Sequence, residues 1–208
     1  MPVFTKDDES VLFVHVPKAG GSSLENLFVS NGWTMTYRDG KTGKYSQNWY
    51  RHCSPQHMHA APLRETFRLH RFTAIVMVVR EPLARFRSEY AMRSARRGLA
   101  GDPASVDAWA REHFRLYGLN PYVLDNHLRP QAEFLLAGSH VYRLEDGLDA
   151  VAQDLNRQYE LGLPTEVPRV RESGQVRGLT SREVELSDEL TTRLRAFYAQ
   201  DMVSFGYA

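Results

Sequence analysis

The chain of 208 residues contains one cysteine, Cys53, so it has no internal disulfide. A fold without such staples depends on its apolar core, and a lone thiol fits a reducing compartment, which gives a cytoplasmic reading. Net charge is nearly absent as well: 26 basic against 25 acidic side chains leave +1. Any positive patch is therefore local. That argues against a general nucleic-acid binder and leaves room for specific anion sites. Long apolar runs are missing too. The longest, TAIVMVV at 73–79, is far too short to span a bilayer, and the opening MPVFTKDDES lacks a basic-then-apolar leader pattern. No transmembrane or targeting segment is expected. Repeats and low-complexity tracts are absent, and 42% hydrophobic residues suffice for one core, read as a single domain over 1–208.

What is present is an alternation of strand and helix patterns. VLFVHV at 11–16 reads as a buried strand, followed by a helix from about Ser22 to Ser30. Residues 38–56 are polar and glycine-marked, a loop. A helix over 59–68 leads to a second buried strand, FTAIVMVV at 72–79, and Pro82 then opens a helix running to Arg97. Asp102 or Ser105 can cap a helix over 104–116. HVYRLED at 140–146 reads as a third strand and 147–161 as its helix; 162–180 is a loop, and a last helix covers 187–200. The expected fold class is α/β: a central parallel sheet flanked by helices, with ligands bound beyond the strand C-terminal ends.

One stretch sits where such a ligand belongs. FVHVPKAGGSSL, residues 13–24, carries Lys18, Ala19, Gly20, Gly21, Ser22 and Ser23 between the first strand and the first helix. Free backbone N–H groups and the helix dipole converge there, glycines permit close approach, and the serines add donors, a P-loop-like arrangement suited to a phosphate. A plain glycine turn with a serine cap leaves the lysine unexplained. A phosphotransferase with the G-x-x-x-x-G-K-[ST] loop is the alternative, but its lysine follows the second glycine and its Mg²⁺ needs an Asp at a later strand end; neither is present. A binding module without catalysis would keep the anion sites and need no base. The second strand ends in VVREPLARFRSEY, where Arg80 closes an apolar run and needs a partner. Six arginines and two glutamates lie between Arg80 and Arg97. Arg85 and Ser88 share a helix face at i, i+3, whereas Arg87, Arg93, Arg96 and Arg97 read as a solvated face.

These residues resemble the sulfotransferases that use 3′-phosphoadenosine 5′-phosphosulfate (PAPS), in particular the carbohydrate type. Pro17 to Ser23 match the family's P-K-x-G-G-[ST]-[ST] loop, which binds the 5′-phosphosulfate. Arg80 to Tyr90 match its R-[DEN]-P-x-x-R-x-x-S-x-Y segment, in which Arg80 and Ser88 take the 3′-phosphate and Tyr90 packs. DNHLRPQAEFL at 125–135, VYRLED at 141–146 and FYAQDMVSFGY at 197–207 also look like the family's. The resemblance implies a sulfuryl transfer from PAPS to a hydroxyl, on a carbohydrate or glycolipid, by a soluble bacterial-type enzyme without a metal. Lys18 would meet the charge on the leaving oxygen. It implies further that His127, Arg129 and Gln131 line the acceptor pocket and that Arg171 and Ser173 contact the cofactor.

A base for the acceptor is expected between the two phosphate motifs, in HCSPQHMHAAPLRE. Imidazole is suited to that work near neutral pH. The spacing to Leu63 favours His57 and an H-x-H reading favours His59; His57 is preferred. Zinc on His52, Cys53, His57 and His59 would need a spacing that fits no common site, so no metal is expected. His15 reads as a core histidine, and Asp125 with Asn126 as caps of a loop-to-helix junction. Trp33, Trp49, Tyr50 and Trp109 could stack on sugar rings or fill the core.

Overall fold

The computed structural model describes residues 1–166 and 178–207. Arg171 and Ser173 lie outside them. At the centre is a five-stranded sheet in the order β3-β1-β2-β4-β5, formed by β1 (Val3–Lys6), β2 (Glu9–Val14), β3 (Thr34–Thr36), β4 (Ala74–Val79) and β5 (Ser139–Arg143). The three strands expected from sequence are β2, β4 and β5, and they pair in parallel. The sheet is mixed rather than parallel, because β1 and β3 add an antiparallel edge next to β2. A two-residue turn joins β1 to β2, with Lys6 opposite Glu9 and Asp7 at φ 51. Four and three residues are too few for either edge strand to show an alternation.

Every residue of β4 is buried. Ile75, Met77 and Val79 join Leu12, Val14, Leu63 and Phe134 on one face, and Ala74, Val76 and Val78 join Phe13, Leu24, Phe28, Val151 and Leu155 on the other. That two-sided burial is why the strand reads as an unbroken apolar run. Helices α1 (Gly21–Ser30) and α5 (Leu148–Tyr159) cover the second face, and α2 (Ala60–Thr66) lies against the first.

A third cluster joins α3 (Pro82–Arg97), α4 (Pro103–Leu119), α6 (Asp188–Phe197) and α7 (Ala199–Phe205) around Phe86, Tyr90, Trp109, Leu194 and Tyr198. Side-chain oxygens cap three of these helices: Glu81 accepts from the N–H groups of Leu83 and Ala84, Asp102 from Ser105, and Ser187 from Leu190. The expected single helix at 187–200 is two helices, broken at Tyr198. The Tyr198 hydroxyl donates to the Leu128 carbonyl, which ties the break to the segment that carries the site.

That segment, residues 120–135, has no strand or α-helix and is held by side chains. Fully buried Asp201 in α7 accepts the N–H groups of Gln131 and Ala132 at 2.9 and 2.8 Å. Hydrogen bonds to a charged group contribute about 1.5–3 kcal/mol. Asp201→Ala should therefore lower the unfolding free energy by about that amount in urea titration. A loss below about 0.5 kcal/mol, within the range of surface substitutions, would contradict the role given to Asp201.

Candidate active site

The loop after the first parallel strand leaves β2 at Val14 and turns into α1 through two left-handed residues, Lys18 (φ 69) and Gly20 (φ 83). A Cβ on Gly20 would fall 2.6 Å from Leu144 Cδ1, so glycine is required there by space as well as by φ. α1 has neither a side-chain cap nor an acid in its first turn. Among the described residues no acceptor meets the N–H groups of Gly20, Gly21 and Ser22, while Ser23 N–H turns back to the Gly20 carbonyl. These free donors at a helix N-terminus favour an anion. Ala19 is buried, Ser22 and Ser23 are half-buried, and half-buried Lys18 extends its Nζ to 3.4 Å from Met92 Sδ.

Arg80 stands at the end of β4, with its backbone N–H and carbonyl both bonded by the Gln131 amide at 2.9 and 2.7 Å. Its guanidinium reaches the Lys18 carbonyl at 3.4 Å. The two anion-receptive elements are thus in contact. Burial lowers the Arg80 pKa, opposed by Glu145 and Glu81. Beside Arg80 opens a cleft of about 630 Å³ that also takes in Ala84, Arg87, Ser181 and Arg182. Half-buried Ser88 is one turn beyond Ala84 on α3.

Three arginines differ from expectation. Arg87 lines the cleft rather than a solvated face, and its Nε donates to the Val184 carbonyl. Arg85 is fully buried and donates to the carbonyls of His127 and Arg129, because the bare segment offers acceptors that only a buried donor can reach. Tyr90 is buried and donates to the Ala100 carbonyl. Arg93, also expected in solvent, pairs with Glu89 at 2.7 Å.

The histidines form a row. The His57 ring is 5.3 Å from that of His15 and 4.8 Å from that of His127, edge-on to both. Each holds a carboxylate through Nδ1: His15 with Glu25 at 2.8 Å, His57 with Asp125 at 2.6 Å, His127 with Glu89 at 2.5 Å. A neutral imidazole that donates Nδ1–H leaves Nε2 as an acceptor. Burial pushes Asp125 up, but the His57 hydrogen bond and charge, with the Ser54 N–H and hydroxyl, hold it down at about 2. Glu89 is likewise held at about 2 by His127 and Arg93 against its burial. Burial lowers His15 to about 4, opposed by Glu25, and lowers His127 against Glu89.

Asp125 reaches His57 through an unusual backbone. Leu124, Asp125 and Asn126 all have positive φ, 54, 58 and 65°, a conformation costing about 1–2 kcal/mol per residue. Asn126 is fully buried and helps to hold it, donating to the His57 carbonyl at 2.8 Å and accepting from Arg129 Nε at 2.9 Å. His59 differs from His57: it precedes α2, lies beside Tyr122, and its Nδ1 meets no partner among the described residues. Burial, then the Arg129 charge, lowers His59 to about 4.

Of the residues expected in an acceptor pocket, Arg129 and Gln131 are buried and spent on Asn126, Pro121 and the Arg80 backbone, and His127 stands beside His57. Trp33 and Trp109 belong to the core, whereas Trp49 and Tyr50 are exposed, 69% and 64%. Sequence reasoning missed the partners Asp125, Glu89 and Glu25. Asp125 is 68 positions from His57, and no local spacing signals the pairing.

A model of the sulfotransferase family matches residues 1–208. The chain belongs to the sulfotransferase family. No curated protein and no solved structure matches it. The match gives the phosphotransferase reading no support. Among the described residues of this sulfotransferase, no group of three metal-ligating side chains is found, and no helix is long and apolar enough to cross a membrane.

The titrating groups set an acid limit on stability. His15 and His59 are depressed to about 4 in the fold, so the unfolded chain binds protons first as pH falls below about 6.5, and stability drops between those values. Asp125 and Glu89, ionised down to about 2, contribute stability that is lost as pH falls from about 4 toward 2. Melting temperatures measured from pH 8 to pH 3 should fall in two stages, the first reduced in His59→Phe. A curve flat between pH 7 and 4 would contradict the burial of neutral histidines.

Proposed function

We propose that this sulfotransferase moves the sulfuryl group of PAPS to a hydroxyl on a carbohydrate or glycolipid, with His57 as base and Lys18 at the leaving group. The observation that carries the reading is a carboxylate-held imidazole, His57 on Asp125, one ring away from an anion-receptive loop. The donor chemistry fits the residues: free N–H groups at Gly20 to Ser22 suit the phosphosulfate, while Arg80 and Ser88, with Arg87 and Arg182 of the adjoining cleft, suit the 3′-phosphate. Arg171 and Ser173 remain proposed cofactor contacts, and a cytoplasmic location is proposed with them.

In the transfer, the acceptor oxygen attacks sulfur, the bond from sulfur to the phosphate oxygen breaks, and its electron pair leaves with adenosine 3′,5′-bisphosphate. The acceptor proton passes to His57 Nε2. Asp125, ionised at working pH, orients the ring and stabilises the imidazolium formed. Lys18 and the α1 N-terminus face the charge that builds on the departing oxygen. Positioning and electrostatics then carry the reaction without a metal. His127 next to His57 is the acceptor-side group.

The test is transfer of labelled sulfate from PAPS across a panel of glycans and small alcohols, repeated with two variants on whichever acceptor is labelled. His57→Ala should lose roughly 10²- to 10⁴-fold in turnover, the usual share of a general base. His59→Ala should lose far less. A severe loss at His59 with a mild one at His57 would move the role, and near-normal rates in both would remove a histidine base from the reaction.

A further inference from the structure

His15 touches both halves of the proposed reaction. Glu25, which accepts its Nδ1–H, belongs to α1 and lies one turn on from Gly21, so His15 grips the helix whose N-terminus completes the donor loop. On its other edge the ring rests against that loop: a Cβ on Gly21 would fall 2.3 Å from His15 Nε2. Gly21 is thus bare because the imidazole occupies the space of a side chain. A third side of the ring faces His57, and a fourth the core ring of Phe13 at 5.3 Å. Gln56, the neighbour of His57 in the chain, donates to Glu25 Oε1 at 3.2 Å and lies 3.4 Å from His15 Nδ1.

We propose that His15, held by Glu25 and Gln56, is a positioning residue that sets the distance between the donor loop and the base. This rests on the reading of His57 as that base. A core histidine would need only apolar neighbours and one polar partner, whereas three of the contacts of His15 are to Gly21, Glu25 and His57. An apolar residue of similar size would fill the space but give Glu25 no proton, leaving a buried carboxylate short of a donor. Burial keeps His15 neutral, so it adds no cation beside a site whose charges belong to Lys18 and Arg80. Displacements near 1 Å can cost about 10²-fold in rate, which is the scale on which such a spacer acts.

The test uses water as acceptor, so that no glycan need be known. Its oxygen bonds to sulfur, the bond to the phosphate oxygen breaks, adenosine 3′,5′-bisphosphate leaves with the electron pair, and the water proton passes to His57. Release of labelled sulfate from PAPS is compared in wild type, His15→Gln, His57→Ala and the double variant, alongside binding of adenosine 3′,5′-bisphosphate. Positioning through His57 predicts about a tenfold or greater loss in His15→Gln with nearly unchanged nucleotide affinity, and a double variant no slower than His57→Ala. Gln56→Met, at a half-buried position, should show the same pattern with a smaller loss, and decides the matter if His15→Gln does not fold. Losses that multiply, or a wild-type rate in His15→Gln beside a crippled His57→Ala, overturn the positioning role and leave the base standing. A wild-type rate in His57→Ala, or a wild-type rate no faster than PAPS alone, overturns the base reading and this proposal with it.

Discussion

The site depends on one buried cation. Residues 120–135 pass, partly buried, beside α3, α7 and the His57 loop without a strand or α-helix to satisfy their peptide groups, and a buried peptide group without a partner is expensive. The Arg85 guanidinium meets the carbonyls of His127 and Arg129, while Asp201 meets the N–H groups of Gln131 and Ala132 from the other side. A charge of each sign thus stands in for a missing ladder. What hangs on the segment so fixed is the geometry of the proposed site: Asp125 on His57, His127 on Glu89, and the Gln131 amide around Arg80.

That arrangement separates charge. On the base side, three carboxylates, Glu25, Asp125 and Glu89, face two arginines, Arg38 and Arg93, and three imidazoles. With the imidazoles neutral the cluster is one charge negative, so a single proton arriving there is compensated. On the side proposed for the sulfate donor stand Lys18, Arg80 and a helix N-terminus, all suited to negative charge. The proposed transfer, which would release a proton on one side and an anion on the other, would meet a fitting field on each. The strained turn at Leu124 to Asn126 is the local cost of bringing Asp125 to the boundary.

Much of this was legible in the chain. The apolar run of β4, Pro82 with its following helix and the Asp102 cap are local signals, written in consecutive residues, and each lies where its pattern placed it. The edge strands β1 and β3 were not legible because seven residues between them carry no period. The break at Tyr198 was hidden because the contact that accompanies it, a bond to the Leu128 carbonyl, is 70 positions away. For the same reason the histidines could be singled out but not sorted. His57 and His59 have the same composition around them, and what distinguishes them is an aspartate on one and an empty Nδ1 on the other. His15 reads as core from its place at the end of the first strand, and it is buried, but the sequence does not reveal which neighbours the ring touches.

The central claim is that one nucleotide bridges two anion sites, the α1 N-terminus and the cleft at Arg80, with His57 beside the first. A crystal structure with adenosine 3′,5′-bisphosphate tests it most directly. The account predicts the 5′-phosphate on the N–H groups of Gly20 to Ser22 with Lys18, the 3′-phosphate on Arg80 and Ser88, and His57 Nε2 open to the space beyond the 5′-phosphate. A nucleotide bound elsewhere, or one with its 3′-phosphate in solvent and Arg80 unengaged, would contradict it.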